Sequence, residues 1–246
     1  MAALKVCGIA LMSTHHVDSG LVLFFGPDPW LFLQFILPSA QAFGPAVTSF
    51  TTGRREVWLT IDDGPDPAST PRVLDLLHSH GARATFFLVG AQIEKYPELA
   101  RRITGQGHTI GNHTQTHPST SFWRASPRQV ASEIDRCVAA LLLADAPFEH
   151  FFRPPVGVRN PFLAPQLSAR GLDLVLWNAR GFDGGGRNPQ TALARIAREI
   201  RPGSILVSHE GGIRTQQRLI FLELLLDHLH HEDYVCVLPK REAFCF

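Results

Sequence analysis

Short apolar runs alternate along this chain with longer amphipathic stretches, and a cluster of polar residues follows most of the apolar runs directly. From residue 54 onward, the runs at 57–61, 84–89, 108–111, 151–152, 172–177, 204–208 and 234–238 read as buried strands. Between them, 70–80, 97–105, 126–143, 162–170, 189–200 and 216–230 carry helical patterning. The third helix is the clearest: Ser126 is placed to cap it, Pro127 suits its first turn, and Val130, Ile134, Val138 and Leu141 share a face. Strands that alternate with helices pack as a parallel sheet with helical cover. About seven such units predict an α/β fold, a distorted (β/α) barrel of about seven parallel strands, in which chemistry gathers where strands end and loops begin.

A chain of 246 residues, 45% of them hydrophobic, is long enough to bury such a core. Its formal net charge of +1 supplies no field for a polyanion, which argues against a nucleic-acid partner, and no feature points to a stable protein partner. Cys7, Cys137, Cys236 and Cys245 lie far apart and form no C-x-x-C pair, so neither a zinc knuckle nor a redox motif is expected. Cys137 and Cys236 sit in apolar patterns and read as buried thiols.

The first 53 residues differ from the rest, with Lys5 as their one lysine and no arginine. Gly26-Pro27-Asp28-Pro29 interrupts the apolar stretch at 21–37, which leaves no continuous run of the roughly 20 residues a membrane helix needs. Residues 31–37 followed by Ala40-Gln41-Ala42 imitate the end of a signal peptide, yet the basic start is missing and Asp18 and Asp28 stand in its place. The expectation is a partly apolar N-terminal extension over 1–53, packed on the domain or weakly associated with a membrane surface. A catalytic domain over 54–246 follows it. A cytoplasmic location is favoured over the cell envelope or secretion.

Five polar clusters follow strand ends. Asp62-Asp63-Gly64-Pro65 sets two adjacent carboxylates after the first strand; they repel unless a cation is near, although an Asx-turn would use one of them. His113 and His117, four apart, have a metal-ligand spacing, but Thr114 stands where a metalloprotease would carry its Glu, so a general base must come from elsewhere. The bland alternative is two loop histidines. Arg153, before Pro154-Pro155-Val156-Gly157, can clamp a carboxylate or serve as a surface residue before a turn. Trp177 to Asp183 follows the fifth strand, and Gly184-Gly185-Gly186 matches no phosphate loop. His209 ends the sixth strand and suits acid–base work near neutrality, or a structural role. Singly these are weak; five at strand ends in one alternating chain form a strong joint signal. His228, His230 and His231 read as a solvated face, and Phe122 and Trp123 as either a wall over a ligand or core.

The order Thr60-Ile61-Asp62-Asp63-Gly64, His113-Thr114-Gln115-Thr116-His117, Arg153-Pro154-Pro155-Val156-Gly157, Asp183 and His209 resembles the polysaccharide deacetylase family. This is carbohydrate esterase family 4, which includes nodulation-type chitooligosaccharide deacetylases and peptidoglycan and chitin deacetylases. The resemblance runs from about residue 54 to 239 and is most specific in its first three motifs. It implies Asp62 as catalytic base, Asp63, His113 and His117 as metal ligands, and Arg153 as the residue that orients the base. It further implies the Val156 N–H at the oxyanion, with Pro155, Trp177 and Val207 around the substrate, and His209 as catalytic acid with Asp183 as its partner. Val156 replaces the family's usual Tyr, Val207 its usual Leu, and the Trp that commonly trails the fourth motif is missing after Asp183. The expected activity is metal-dependent removal of N-acetyl groups from an N-acetylated glycan. An O-acetyl esterase or other C–N hydrolase on the same fold is the alternative, and a non-catalytic binder a third class. The ligand set suits one divalent transition metal, Zn²⁺ foremost, with Co²⁺ or Ni²⁺ also compatible.

Overall fold

The computed structural model describes residues 43–185 and 188–246. The apolar runs within residues 1–42, with the leader-like segment and Cys7, therefore lie outside the described residues. Strand β2 (Glu56–Asp62) is the spine, buried along nearly its whole length. Val57, Leu59 and Ile61 face the helical layer, whereas Trp58 joins the second apolar cluster inside the curl of the sheet. Burial on both faces explains why the strand reads as one apolar run instead of an alternation.

Around β2 the sheet is parallel throughout. Strands β3 (Ala84–Leu88), β4 (Thr109–Asn112), β5 (Phe151–Phe152) and β6 (Asp173–Leu174) extend it on one side, and β8 (Ile205–His209) and then β7 (Ala179–Arg180) on the other. Strand β9 (Val235–Cys236) pairs with Glu56 and Val57 at the start of β2. This is a curled, incomplete barrel with helices outside, as the alternation predicts. The helices are α1 (Thr70–Ser79), α2 (Gly90–Lys95), α3 (Pro97–Gly105), α4 (Pro127–Leu143), α5 (Leu163–Ser168), α6 (Pro189–Ile196) and α7 (Thr215–His231). Helix α4 starts with a reciprocal capping box: Ser126 N–H donates to Gln129 Oε1 at 2.8 Å and Gln129 N–H to Ser126 Oγ at 3.4 Å. Its buried face is Val130, Ile134, Cys137, Ala140 and Leu141; Val138 is only half-buried.

Residues 43–53 pack on the domain. Ala46, Val47 and Phe50 belong to the inner apolar cluster. Val47 N–H donates to Leu174 O at 2.8 Å and Leu176 N–H to Val47 O at 2.9 Å, while Phe50 N–H reaches Gly203 O at 2.9 Å just before β8. The segment thus ties the edge strand β6 and the residues after it to the start of β8. Its β1 (Ser49–Phe50) also pairs antiparallel with β10 (Phe244–Cys245).

The strand expected over 172–177 is the main departure. Only Asp173–Leu174 is ladder, and an unforeseen strand follows at Ala179–Arg180. The run is apolar because Leu174, Val175, Leu176 and Trp177 are enclosed on all sides, not because it pairs along its length. Helix α2 was also unforeseen: Gly90 and Ala91 donate their N–H groups to Thr114 O and Gln115 O, so a loop after β4 holds its first turn. Cys137 and Cys236 are buried free thiols. Among the described residues no helix is long and apolar enough to cross a membrane.

Candidate active site

The C-terminal ends of the parallel strands meet on one face. Pairing of β2 with β8 sets Asp62 beside His209 in register. The chain then turns sharply at Asp63, with φ 80°, and swings that carboxylate away from its neighbour. Five of the seven non-glycine residues with positive φ among the described residues lie in or beside this site: Asp63, Thr114, His117, Val156 and Phe182. Such conformations cost of order 1–3 kcal/mol each and persist where surrounding contacts impose them.

Asp63, His113 and His117 converge. Their ligand atoms all lie within 4.8 Å of one another. Asp63 Oδ1 is 3.6 Å from His113 Nε2 and 3.3 Å from His117 Nε2. His113 is buried, and its Nδ1 lies 2.8 Å from Arg153 O. A carbonyl only accepts, so Nδ1 carries the proton and Nε2 offers its lone pair toward Asp63. His117 is placed by the loop: its N–H donates to Thr114 Oγ1 at 3.1 Å, and Thr114 N–H donates to Asn112 Oδ1 at 2.9 Å. Helix α4 holds that loop through Glu133, which accepts from the N–H and hydroxyl of Thr116 at 2.8 and 2.7 Å. Burial, with the neighbouring His113, pushes the His117 imidazole down to about 4 against the pull of Asp63 and Asp62. It is therefore neutral at pH 7 and able to donate electrons. Burial works against the charge on Asp63, but at the acid pH where it would take up a proton, the hydrogen bond from a protonated His113 and the charges that His209, His113 and His117 then carry outweigh it and hold the carboxyl well below the usual range.

Asp62 points the other way, into the curl, where Arg153 meets it. Arg153 is wholly buried and donates from Nη1 to Asp62 Oδ1 at 2.8 Å and to Thr60 Oγ1 at 2.6 Å. It also donates from Nε to Val175 O and from Nη2 to Leu176 O, both at 3.0 Å. Its guanidinium lies over the Phe87 ring, 4.1 Å from the centroid. After it, Val156 (φ 50°, ψ 18°) and Gly157 (φ 71°) turn in succession through left-handed conformations. A Cβ on Gly157 would sit 2.5 Å from the Trp177 ring, so only glycine fits. Val156 is exposed; Pro155, Trp177 and Val207 are buried. Trp177 packs behind the 155–157 turn and 5.4 Å from the Arg153 guanidinium. Phe122 is core, whereas Trp123 is about half exposed.

On the β8 side, His209 Nδ1 is 2.9 Å from Asp183 Oδ1, and His209 N–H donates to Asp183 Oδ2 at 2.8 Å. Burial opposes charge on His209, but Asp183, with Asp63 and Asp62 behind it, raises the imidazole to about 9.

Two residues were not singled out from the sequence. Arg218, in the first turn of α7, donates from Nη1 to Glu210 O at 2.5 Å and Gly211 O at 3.0 Å, and lies 3.5 Å from Asp63 Oδ2. Glu210 is buried; burial pushes its carboxyl up to about 8, against the hydrogen bonds from Thr70 (2.7 Å) and Ser69 (3.3 Å) to Oε2. A Cβ on Gly64 would fall 1.7 Å from Glu210 Oε1, so the Asp62-Asp63-Gly64 turn is closed by a glycine that this side chain demands. No sequence signal separates Arg218 from its neighbour Arg214; only the fold does.

Residues 50–175 match the family described as polysaccharide deacetylase. That span includes Asp62, Asp63, His113, His117 and Arg153 and ends before Asp183 and His209. A chitooligosaccharide deacetylase of Bradyrhizobium sp. (strain ANU 289) is 35% identical over 161 residues, 65% of this chain and 73% of that protein. A peptidoglycan-N-acetylglucosamine deacetylase of Bacillus cereus (strain ATCC 14579) is 31% identical over 185 residues, 72% of this chain and 82% of that protein. The crystal structure of a peptidoglycan N-acetylglucosamine deacetylase in complex with 4-naphthalen-1-yl-N-oxidanyl-benzamide superposes with a TM-score of 0.72 at 29% identity, covering 77% of this chain and 88% of that one.

Proposed function

The chain belongs to the polysaccharide deacetylase family, and from that membership we propose that it is a metal-dependent hydrolase that removes N-acetyl groups from an N-acetylated glycan. One observation carries the reading: Asp63, His113 and His117 converge within 4.8 Å while the adjacent carboxylate, Asp62, turns away to Arg153. The donor set fits an ion. Two imidazole nitrogens, one with its proton directed to Arg153 O, and one carboxylate oxygen suit Zn²⁺, Co²⁺ or Ni²⁺ better than Mg²⁺ or Ca²⁺. When bound there, such an ion polarises the acetyl carbonyl and lowers the pKa of water.

The remaining work belongs to the side chains. Asp62, free of the ligand set, takes the proton from the attacking water. Arg153, through its hydrogen bond to Oδ1, holds that carboxylate in place. The Val156 N–H donates to the oxyanion that develops on the acetyl carbonyl oxygen; losing one such donor typically costs about 3–4 kcal/mol. His209, protonated through Asp183, gives its proton to the departing amine. This last point favours amide over ester cleavage, because an amine leaves only once protonated whereas an alkoxide places less demand on the acid. Acetate and a free amino sugar result.

The test is acetate release from chitooligosaccharides, peptidoglycan fragments and acetylated xylan, with and without chelator. The proposal expects release from one of the first two, loss of it with chelator and recovery with Zn²⁺. Release from acetylated xylan alone makes the protein an O-acetyl esterase, and release that chelator leaves untouched removes the metal.

A further inference from the structure

A polar cavity of about 350 Å³ opens between the segment around β1, strand β7 and the end of α6. Three arginines line it, Arg180, Arg195 and Arg201, against a single carboxylate, Glu199. Glu199 is already engaged: its Oε2 accepts the Arg180 backbone N–H at 2.9 Å, and Oε1 is 3.8 Å from Arg195 Nη2. Among the described residues, neither the Arg180 nor the Arg201 guanidinium has a carboxylate within ion-pair distance. Arg180 is half-buried, stacked 3.9 Å from the centroid of Phe182, and Arg195 lies 4.5 Å from the same ring, so two like charges share one aromatic platform. Burial and the positive charge of Arg195 both work against the charge on Arg180, and Glu199 offsets them only in part. Trp177 lines the same cavity; it is 5% exposed, and its buried Nε1–H has no acceptor. Buried N–H donors ordinarily find a partner, and an orphan calls for one.

We propose that this cavity is an anion site that takes a small oxyanion, a phosphate or carboxylate group, between Arg180, Arg195 and Arg201. A guanidinium presents a planar fork of N–H donors that matches either group in bidentate fashion, and the indole N–H can only donate. A neutral N-acetylated sugar supplies no charge to balance three arginines. The site shares only Trp177 with the proposed reaction centre, whose ring edge supports the 155–157 turn. It therefore stands or falls separately from the deacetylase reading.

Calorimetric titration of the full chain with inorganic phosphate, in a buffer without oxyanions, tests it. Saturable binding is expected. Arg180→Gln and Arg201→Gln should each weaken it at least tenfold, and Trp177→Phe, which keeps the ring but removes the N–H, severalfold. Arg198→Gln, on an exposed neighbour outside the cavity, should leave it unchanged. Melting temperatures confirm that each variant is folded, and Arg180→Lys, which keeps the charge, should retain part of the affinity if Arg180→Gln folds poorly. Absence of phosphate binding overturns the proposal. So does equal binding by all variants, which would put the phosphate at the Asp63 cluster. A second arm separates the sources of the anion. Competition of phosphate with a muramic-acid-containing oligosaccharide, but not with a neutral chitooligosaccharide of equal length, means the anion arrives on the glycan. Binding of phosphate without such competition means a free anion. Either result supports the site.

Discussion

Two carboxylate–cation pairs flank the Asp63 cluster, Asp62 with Arg153 and Asp183 with His209, and they are built in opposite senses. In the first, the carboxylate is the proposed reacting group and the cation holds it; in the second, the imidazolium is the proposed reacting group and the carboxylate holds it. Burial follows role. The Arg153 side chain is 0% exposed and Asp62 3%, whereas Asp183 is 2% exposed and His209 23%. In both pairs the holding partner is the less accessible one. The sharper difference is in what surrounds them. Arg153 donates four hydrogen bonds, two of them to backbone carbonyls, and sits on an aromatic ring. Asp183 is fixed mainly by the residue it serves, with Ser208 Oγ 3.4 Å away. The base side is thus part of the core, and the acid side is a local device at the edge of the sheet.

Removing the base itself should have the largest effect. Asp62→Asn keeps shape and hydrogen bonding to Arg153 but cannot take a proton, so turnover should fall by about 10²–10⁴-fold while bound metal stays the same. Metal content and acetate release, measured on one preparation, check both halves. Full activity would refute the assignment of the base.

The contrast in burial predicts which holding partner the fold itself needs. Breaking a buried ion pair from one side leaves the other charge uncompensated and typically costs about 3–5 kcal/mol. Arg153→Met should therefore lower the denaturation midpoint severely. Asp183→Asn leaves an imidazole that is partly exposed and can release its proton, so its cost at neutral pH should be smaller, limited to the support that Asp183 gives the His209 charge. Equal losses in the two variants would erase the distinction between a core pair and a local one.

That distinction also says how much of the site the sequence disclosed. The Asp62-Asp63 step was legible because a buried strand ends in two carboxylates where a turn uses only one, and the Ser126 cap because its reciprocal partner Gln129 lies three residues on. Strand β7, helix α2 and the β1–β10 pair were not legible, since each is held by distant backbone: Asn178 N–H on Ile205 O, Gly90 N–H on Thr114 O, and Thr51 N–H on Ala243 O. Trp177, which the resemblance sets beside the substrate, is buried against the turn at Gly157, a contact that local sequence does not disclose. Local pattern fixes which side chains leave a strand end; which of them meet depends on partners more than 90 positions away, as Arg153 and Asp62 are.

On the acid side the comparison is read by pH. His209 is raised from 6.5 to about 9, chiefly by Asp183 against the cost of burial. A raised folded-state pKa stabilises the protein in full below about 6.5 and loses that stabilisation as pH rises through about 9. Asp183→Asn should flatten this decline and move the alkaline limb of kcat/KM to lower pH, since the imidazolium loses its main support. An unmoved alkaline limb would mean that the proton comes from a group other than His209.

The smallest effect belongs to the residue between the two pairs. Asp63 offers Oδ1 to the two imidazoles, at 3.6 and 3.3 Å, and Oδ2 to Arg218, at 3.5 Å. Arg218 is itself fixed by the carbonyls of Glu210 and Gly211, the residues that follow His209. One guanidinium therefore ties the ligand carboxylate to the strand end that carries the acid. Without it the carboxylate can rotate, and outer partners of metal ligands typically contribute about 10–100-fold in affinity; the exposure and length of this contact argue for the lower end. Arg218→Gln should weaken Zn²⁺ binding about tenfold in competition with a chelator, with Arg218→Lys recovering part of it because the charge survives. The metal-saturated variant should keep most of its kcat, since neither Asp62 nor His209 touches Arg218 directly. A kcat loss that saturating Zn²⁺ leaves in place would instead show that the 210–211 turn positions His209, and would bind the two sides of the site more tightly than their burial suggests.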